Sequence, residues 1–303
     1  MILKDIINGC GNLLKDSSDV DKHIEKYQNR ELNYHDESML TLVLANAFAE
    51  DKTNGYKNVS RLLNYAISLR QPKTKGLVLS TEHSVYIEYQ TQALKHYNRF
   101  VRENWYNESF PRHFYKDRAE TIDYRLTNGK NNNIEGNTNF DMVITSSGRD
   151  RVYFESKYLS DIDYKTTYVP CRDQITRCLD AALYEVTQGL ENLDGLHNLW
   201  FFLITPEMFR IKEFGGSSNM NRIFHPERSR LYSYKMRDLT DVKYLKYNFP
   251  HLPESIDLKL LSERIFWVTW EEAAHFVVNN ILTGGHAELV KSFYKDRGLW
   301  VDF

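Results

Sequence analysis

The chain reads as a mixed α/β protein, a sheet flanked by helices and preceded by a helical region. Three observations carry this reading. The first 70 residues hold apolar patterns of helical period, and the middle of the chain holds short strand patterns around Asn- and Gly-rich turns. The third is NLWFFLIT, residues 198–205, a continuous apolar run stopped by Pro206, as expected of a strand covered on both faces.

The elements follow in order. Leu3, Ile6, Ile7, Leu13 and Leu14, then ESMLTLVLANAFAED, then NVSRLLNYAISLR up to Pro72, predict helices. QPKTKG, residues 71–76, has the Pro, Gly and Lys content of a connector, which predicts a helical region at 1–74 and an α/β domain at 75–303. From Glu82 onward Val85, Tyr86, Tyr89, Ala93 and Tyr97 follow helical spacing, with Ser80 as N-cap. ETIDYRL, residues 120–126, reads as a strand, the loop TNGKNNNIEGNTN follows, and NFDMVI and RVYFESKYL predict two further strands around SSGRD.

VPCRDQITRCLDAALYEVTQGL opens with Pro170 near a first helical turn, and its stripe of Ile175, Cys178, Leu179, Ala182, Leu183 and Val186 predicts a helix. Residues 207–260 keep no steady period and read as an insertion. RIFWVTWEEAAHFVVNNILTGG then predicts a strand, a capping box from Thr269 to Glu272, a helix and glycines at its end.

A composition of 42% hydrophobic and 26% charged residues allows a sizeable core. No run approaches the roughly 18 apolar residues of a membrane span, and MILKDIINGCGNLLKDSSDVDK is too charged for a signal peptide. The expectation is a soluble, cytoplasmic protein with no membrane partner. Cys10, Cys171 and Cys178 form no CxxC pair and read as reduced packing residues. The ten histidines form no HxH or HExxH pair, and the Gly pairs at 215 and 284 lack a phosphate-loop context. Zinc-hydrolase, P-loop, kinase and dehydrogenase readings therefore fall away. The net charge of −2 excludes a strongly basic coat but leaves room for a local basic surface.

Chemistry concentrates in VYFESKYLS, residues 152–160. Alternation along a strand puts Tyr153, Glu155 and Lys157 on one face and Val152, Phe154 and Ser156 on the other. A hairpin centred on Gly148 pairs position 141 with position 155, so that Asp141 faces Glu155. Two carboxylates so placed repel by up to about 1 kcal/mol in an exposed sheet, and by more when buried. Lys157 offsets part of that charge, and a hard divalent cation accounts for the arrangement better.

These residues, Phe140-Asp141 followed by Glu155-Ser156-Lys157 among strands and helices in the order above, resemble the PD-(D/E)xK nuclease superfamily, with Phe140 in place of the motif's proline. The resemblance spans about residues 78–205 and 262–280 and implies a restriction-endonuclease-like αβββαβ core. It implies Mg²⁺, with Mn²⁺ substituting, held by Asp141, Glu155, the carbonyl of Ser156 and Glu82, which is preferred to Glu88 as the glutamate of the preceding helix. Lys157 would orient the attacking water or stabilise developing negative charge. Gln174 and Arg177, from the following helix, would reach the metal site or the scissile phosphate.

The implied activity is phosphodiester hydrolysis of DNA, in restriction, defence or DNA processing. RNA as substrate, or a non-catalytic nucleic-acid-binding or assembly module of the same fold, is the alternative. A basic, aromatic-rich segment, FRIKEFGGSSNMNRIFHPERSRLYSYKMR, residues 209–237, offers Arg222, Arg228, Arg230 and Lys235 to phosphates and its rings to bases. The N-terminal helices are expected to bind a protein partner or a second copy of the chain.

Overall fold

A computed structural model describes residues 2–16, 19–31, 36–72, 76–92, 94–108, 110, 119–128, 134–147, 150–158, 172–210 and 226–300. The N-terminal part folds into α1 (Ile2–Gly9), α2 (Val20–Arg30), α3 (Glu37–Glu50) and α4 (Lys57–Arg70). Asp36 starts α3 by accepting from the N–H groups of Ser38 and Met39 at 2.9 and 3.2 Å. The helix then buries residues on every side, as its nearly uniform apolar sequence requires.

Five strands form one mixed sheet: β1 (Ser84–Gln90), β2 (Asn139–Thr145), β3 (Arg151–Ser156), β4 (Leu199–Thr205) and β5 (Ile265–Thr269), in spatial order β1-β2-β3-β4-β5. The first two pairings are antiparallel and the last two parallel. The antiparallel β2–β3 connection is a hairpin. The parallel β3–β4 step requires a crossover, which α7 (Gln174–Val186) supplies. The β4–β5 connection contains α8 (Pro226–Thr240), α9 (Val242–Asn248) and α10 (Leu258–Ser262). The segment expected as an insertion thus lies wholly in one crossover.

Two elements differ from the sequence reading. The helix expected from Glu82 is β1, followed by a separate α5 (Lys95–Asn104). Val85, Tyr89, Ala93 and Tyr97 recur every four residues, a spacing that satisfies strand alternation as well as a helical stripe. The decisive signal is that Val85, Ile87 and Tyr89 are all buried, a period of two. ETIDYRL, expected as a strand, lies in α6 (Ala119–Thr127), where Ile122 is buried and Leu126 packs against the same core one turn later.

The helices cover both faces of the sheet. One core joins α1 to α4 with α11 (Trp270–Asn280) and α12 (Gly284–Asp296) over Val85, Ile87, Met142, Ile144, Phe154, Phe202 and Val268. The described helices of the N-terminal part thus share one hydrophobic core with the sheet. The other core packs α5, α6, α7 and the insertion helices on Tyr153, Phe201, Leu203 and Ile265. β4 is buried throughout, as its continuous apolar run predicts. The expected capping box opens α11, with Glu272 N–H donating to Thr269 Oγ1 at 3.1 Å and Thr269 N–H to Glu272 Oε2 at 3.0 Å. The glycines expected to end that helix instead begin α12, where Gly284, at φ +54°, turns the chain. Among the described residues no helix is long and apolar enough to cross a membrane.

Candidate active site

The β2–β3 register pairs Met142 with Phe154, Val143 with Tyr153 and Ile144 with Val152. One position outward, Asp141 is level with Glu155, as the hairpin argument predicts; Gly148 itself lies outside the described residues. Asp141 Oδ2 accepts from the Ser156 N–H at 2.7 Å. The first carboxylate is thereby fastened to the backbone of the strand that carries the second.

Lys157, just past β3, places Nζ 2.7 Å from Glu155 Oε1 and 3.7 Å from Glu37 Oε2. Glu37 is the first residue of α3, so the N-terminal layer contributes a third acid. From the opposite layer, Cys178 on α7 donates its thiol to Glu155 Oε2 at 3.2 Å. Glu155 and Lys157 are buried, whereas Asp141 and Glu37 are partly exposed and open the site to solvent.

Burial disfavours the charged form of Asp141, and Glu155 beside it adds like-charge repulsion. Together these outweigh Lys157 and the Ser156 N–H, so its pKa lies well above the ordinary carboxylate range. Burial alone would lower the pKa of Lys157, but Glu155, Glu37 and Asp141 reverse the sign and hold it well above the usual ammonium value. Lys157 is thus a fixed cation. Burial and the charge of Glu155 push the Cys178 thiol up, keeping it a neutral donor. Three carboxylates around one ammonium leave two negative charges unbalanced when all are ionised. Oxygen donors with that excess suit a hard divalent cation.

The other expected site residues divide sharply. Glu82 is exposed in the turn ahead of β1 and stands on no helix. It is six residues from position 88, about 20 Å along an extended chain at roughly 3.3 Å per residue, and does not join the site. Glu88, set aside in its favour, is level with Asp141, between the pairs Ile87–Met142 and Tyr89–Phe140. At φ 47° it is left-handed, and its carboxylate accepts from Tyr27 Oη at 2.8 Å, lies 3.1 Å from His23 Nδ1 and pairs with Lys26. Burial would raise its pKa, but Lys26, Tyr27 and His23 bring it below the ordinary value. Glu88 therefore ties α2 to the strand beside Asp141.

Ser156 serves through its N–H to Asp141, and its side chain is buried. Gln174 opens α7 one turn before Cys178 and so shares the helix face that meets Glu155. Arg177 is held by Glu135, 3.9 Å from its Nε, and donates to the Asn137 carbonyl at 3.4 Å. Lys235 is buried, and its Nζ is 2.5 Å from Asp173, which removes it from any nucleic-acid-binding face. Arg222 lies outside the described residues. Arg228 and Arg230 fall on α8, and their side chains also lie outside the description.

The Lys235–Asp173 pair links the insertion to the start of α7, where Asp173 also caps the helix through Thr176 N–H at 2.9 Å. Burial alone would raise the Asp173 pKa, but Lys235 and Thr176 lower it. A depressed folded-state pKa contributes stability that is in full force above the unfolded value of about 3.9 and is lost as pH falls through the folded one. Asp173→Asn is expected to be less stable than wild type at pH 7, and the two should converge as pH drops below 4, as read from urea midpoints across pH.

Sequence reasoning missed Glu37 and Cys178. The signal for Glu37 was the Asp-Glu pair at the head of the most apolar helix, which β1 directly contacts. Cys178 already stood on the buried stripe of its helix, and only the identity of what it touches was lacking. Compared with protein-family models, with curated proteins and with solved structures, the chain finds no match in any of the three.

Proposed function

We propose that the chain is a Mg²⁺-dependent nuclease hydrolysing phosphodiester bonds of DNA, built on the PD-(D/E)xK core, with Mn²⁺ able to substitute. The observation that carries this reading is the meeting of Asp141, Glu155 and Lys157 at one end of a hairpin whose register sets the two carboxylates level. The sheet adds support: three antiparallel neighbours, β1 to β3, then α7 and the parallel β4 agree with the strand succession that the αβββαβ core implies, with α5 and α6 inserted between β1 and β2. The helix that the resemblance expects from Glu82 is β1, so on this reading the first helix of the core would come from the N-terminal layer.

The donor set fits the ion, because it is all oxygen and because a bound cation would offset both the burial and the repulsion from Glu155 that raise the proton affinity of Asp141. Asp141 and Glu155 would hold the ion; Glu37, which meets the site through Lys157, does not form with them a set of ligand atoms all within 4.8 Å of one another and would act from outside the ion's own ligands. When bound, the ion supplies Lewis-acid activation of a phosphoryl oxygen and of water. Lys157, kept protonated, is suited to stabilise negative charge developing on the phosphate oxygens, and its high proton affinity does not suit it to act as a base. The Ser156 N–H and the Cys178 thiol hold the two carboxylates in place.

Purified protein with supercoiled plasmid and Mg²⁺ is expected to nick or cut it, and Asp141→Ala to abolish this. Absence of cleavage of either DNA or RNA, or cleavage unchanged in Asp141→Ala, refutes the proposal. A second measurement is independent of turnover. Because the folded-state pKa of Asp141 is raised, wild type loses stability as pH climbs above the ordinary carboxylate range. Asp141→Asn, which keeps an acceptor for Ser156, is expected to be more stable by about 1 kcal/mol at pH 7 without metal. Mg²⁺ should raise the melting temperature of wild type and leave that of the variant almost unmoved.

A further inference from the structure

On the far side of the sheet from α3, a second cluster of polar groups is buried among α5, α7 and the segment after α9. His96 Nε2 and His251 Nε2 both approach the same oxygen, Asp180 Oδ1, at 3.3 and 3.1 Å. The three ligand atoms lie within 4.8 Å of one another. The side chains of His251 and Asp180 are fully buried, and that of His96 keeps 15% exposure as a path to solvent.

We propose that His96, Asp180 and His251 form a site for a zinc-class transition-metal ion that fastens the β4–β5 insertion to the core. The distances suit such an ion. Bonds of about 2.0–2.1 Å in a tetrahedron set ligand–ligand edges of about 3.3–3.4 Å, which the two His–Asp edges match, while the His–His edge lies within 4.8 Å. Two imidazoles and one carboxylate oxygen favour zinc, cobalt or nickel over magnesium. This separates the site chemically from the all-oxygen cluster at Asp141, and the proposal stands or falls independently of nuclease activity.

The surroundings hold the ligands in place. Asp180 Oδ2 accepts from Arg172 Nη1 at 2.7 Å, the outer-sphere support typical of a metal-bound carboxylate. The charge of Arg172 is matched by Glu135, which takes Nε and Nη2 at 3.0 and 2.5 Å. The His96 ring stacks on Tyr184 at 4.5 Å and the His251 ring meets Tyr97 edge-on at 5.1 Å. Both Nδ1 atoms are buried without a hydrogen-bond partner among the described residues. Two locked rings thus share one polar partner, a single oxygen, and an ion between them would engage all three groups at once.

The full-length chain, stripped with a chelator and reloaded with Co²⁺, tests this. One equivalent of Co²⁺ with the visible absorption of a four- or five-coordinate site is expected. The bands should persist in Glu155→Gln and disappear in His96→Gln and His251→Gln, with folding followed by circular dichroism. Zn²⁺ should displace Co²⁺ and raise the melting temperature. Absence of the bands in wild type, or their survival in both histidine variants, overturns the proposal. Should the histidine variants fail to fold, X-ray absorption of zinc-loaded wild type decides: two imidazoles in the shell support the site, and a shell without imidazole overturns it.

Discussion

Lys157→Met is expected to lower the cleavage rate at least about a hundredfold, the scale on which removing one fixed electrostatic contact to a developing charge acts. The same change is expected to cost about 3–5 kcal/mol of stability without metal, because it leaves a buried acid without its cation. Lys157 touches Glu155 and Glu37, and Asp141 lies close enough to hold up its pKa. With the ammonium gone, these acids must either repel or take up protons. Methionine keeps an unbranched side chain one atom shorter, so a packing defect contributes little beside the lost charge. Plasmid nicking and urea denaturation, each with and without Mg²⁺, check both halves. Mg²⁺ should recover part of the lost stability and none of the rate, because a divalent ion replaces the charge of the ammonium but not the place at a phosphate that the proposed function gives it.

Arg172→Leu is expected to destabilise the chain by about 3–5 kcal/mol with no direct contact to the Asp141 site. Arg172 is buried, holds Glu135 with two nitrogens and Asp180 with a third, and lies over the Tyr97 ring at 3.6 Å. Its loss would leave two buried carboxylates facing each other. Arg172→Lys should recover little, since one ammonium does not reproduce the planar fork that reaches both acids. Glu135→Gln in the Arg172→Leu background should recover a good part by removing one unpaired charge. Urea midpoints of wild type, Arg172→Leu, Glu135→Gln and the double variant form the cycle that separates the pair from the rest.

The parts of the fold that were legible share a physical origin. β2, β3, β4, β5, α7 and α11 carry patterns whose period is set by the element itself, and the Thr269–Glu272 box caps its own helix within three residues. The Asp141–Glu155 pairing was legible because a short hairpin fixes register by counting. β1 and α6 were misread where a short run fits two periods, and the choice there belongs to the layer each element covers. Burial of Val85 and Ile87 in the core under α1 to α4, and of Tyr89 in the opposite core, makes SVYIEYQ a strand.

The sequence by itself determined the mixed sheet from β2 to β5, the hairpin register, and hence that Asp141, Glu155 and Lys157 meet. Local pattern is enough for that, because alternation and turn length act over neighbouring residues. Only the tertiary structure decided which charges share a space. Glu37 joins Lys157 from 120 residues away, Lys235 turns inward to Asp173, Glu82 stays at the far end of β1, and His96, Asp180 and His251 converge from three elements. Ion pairing and ligation depend on distances of a few ångströms in a medium that screens poorly, and those distances exist only once the layers have packed.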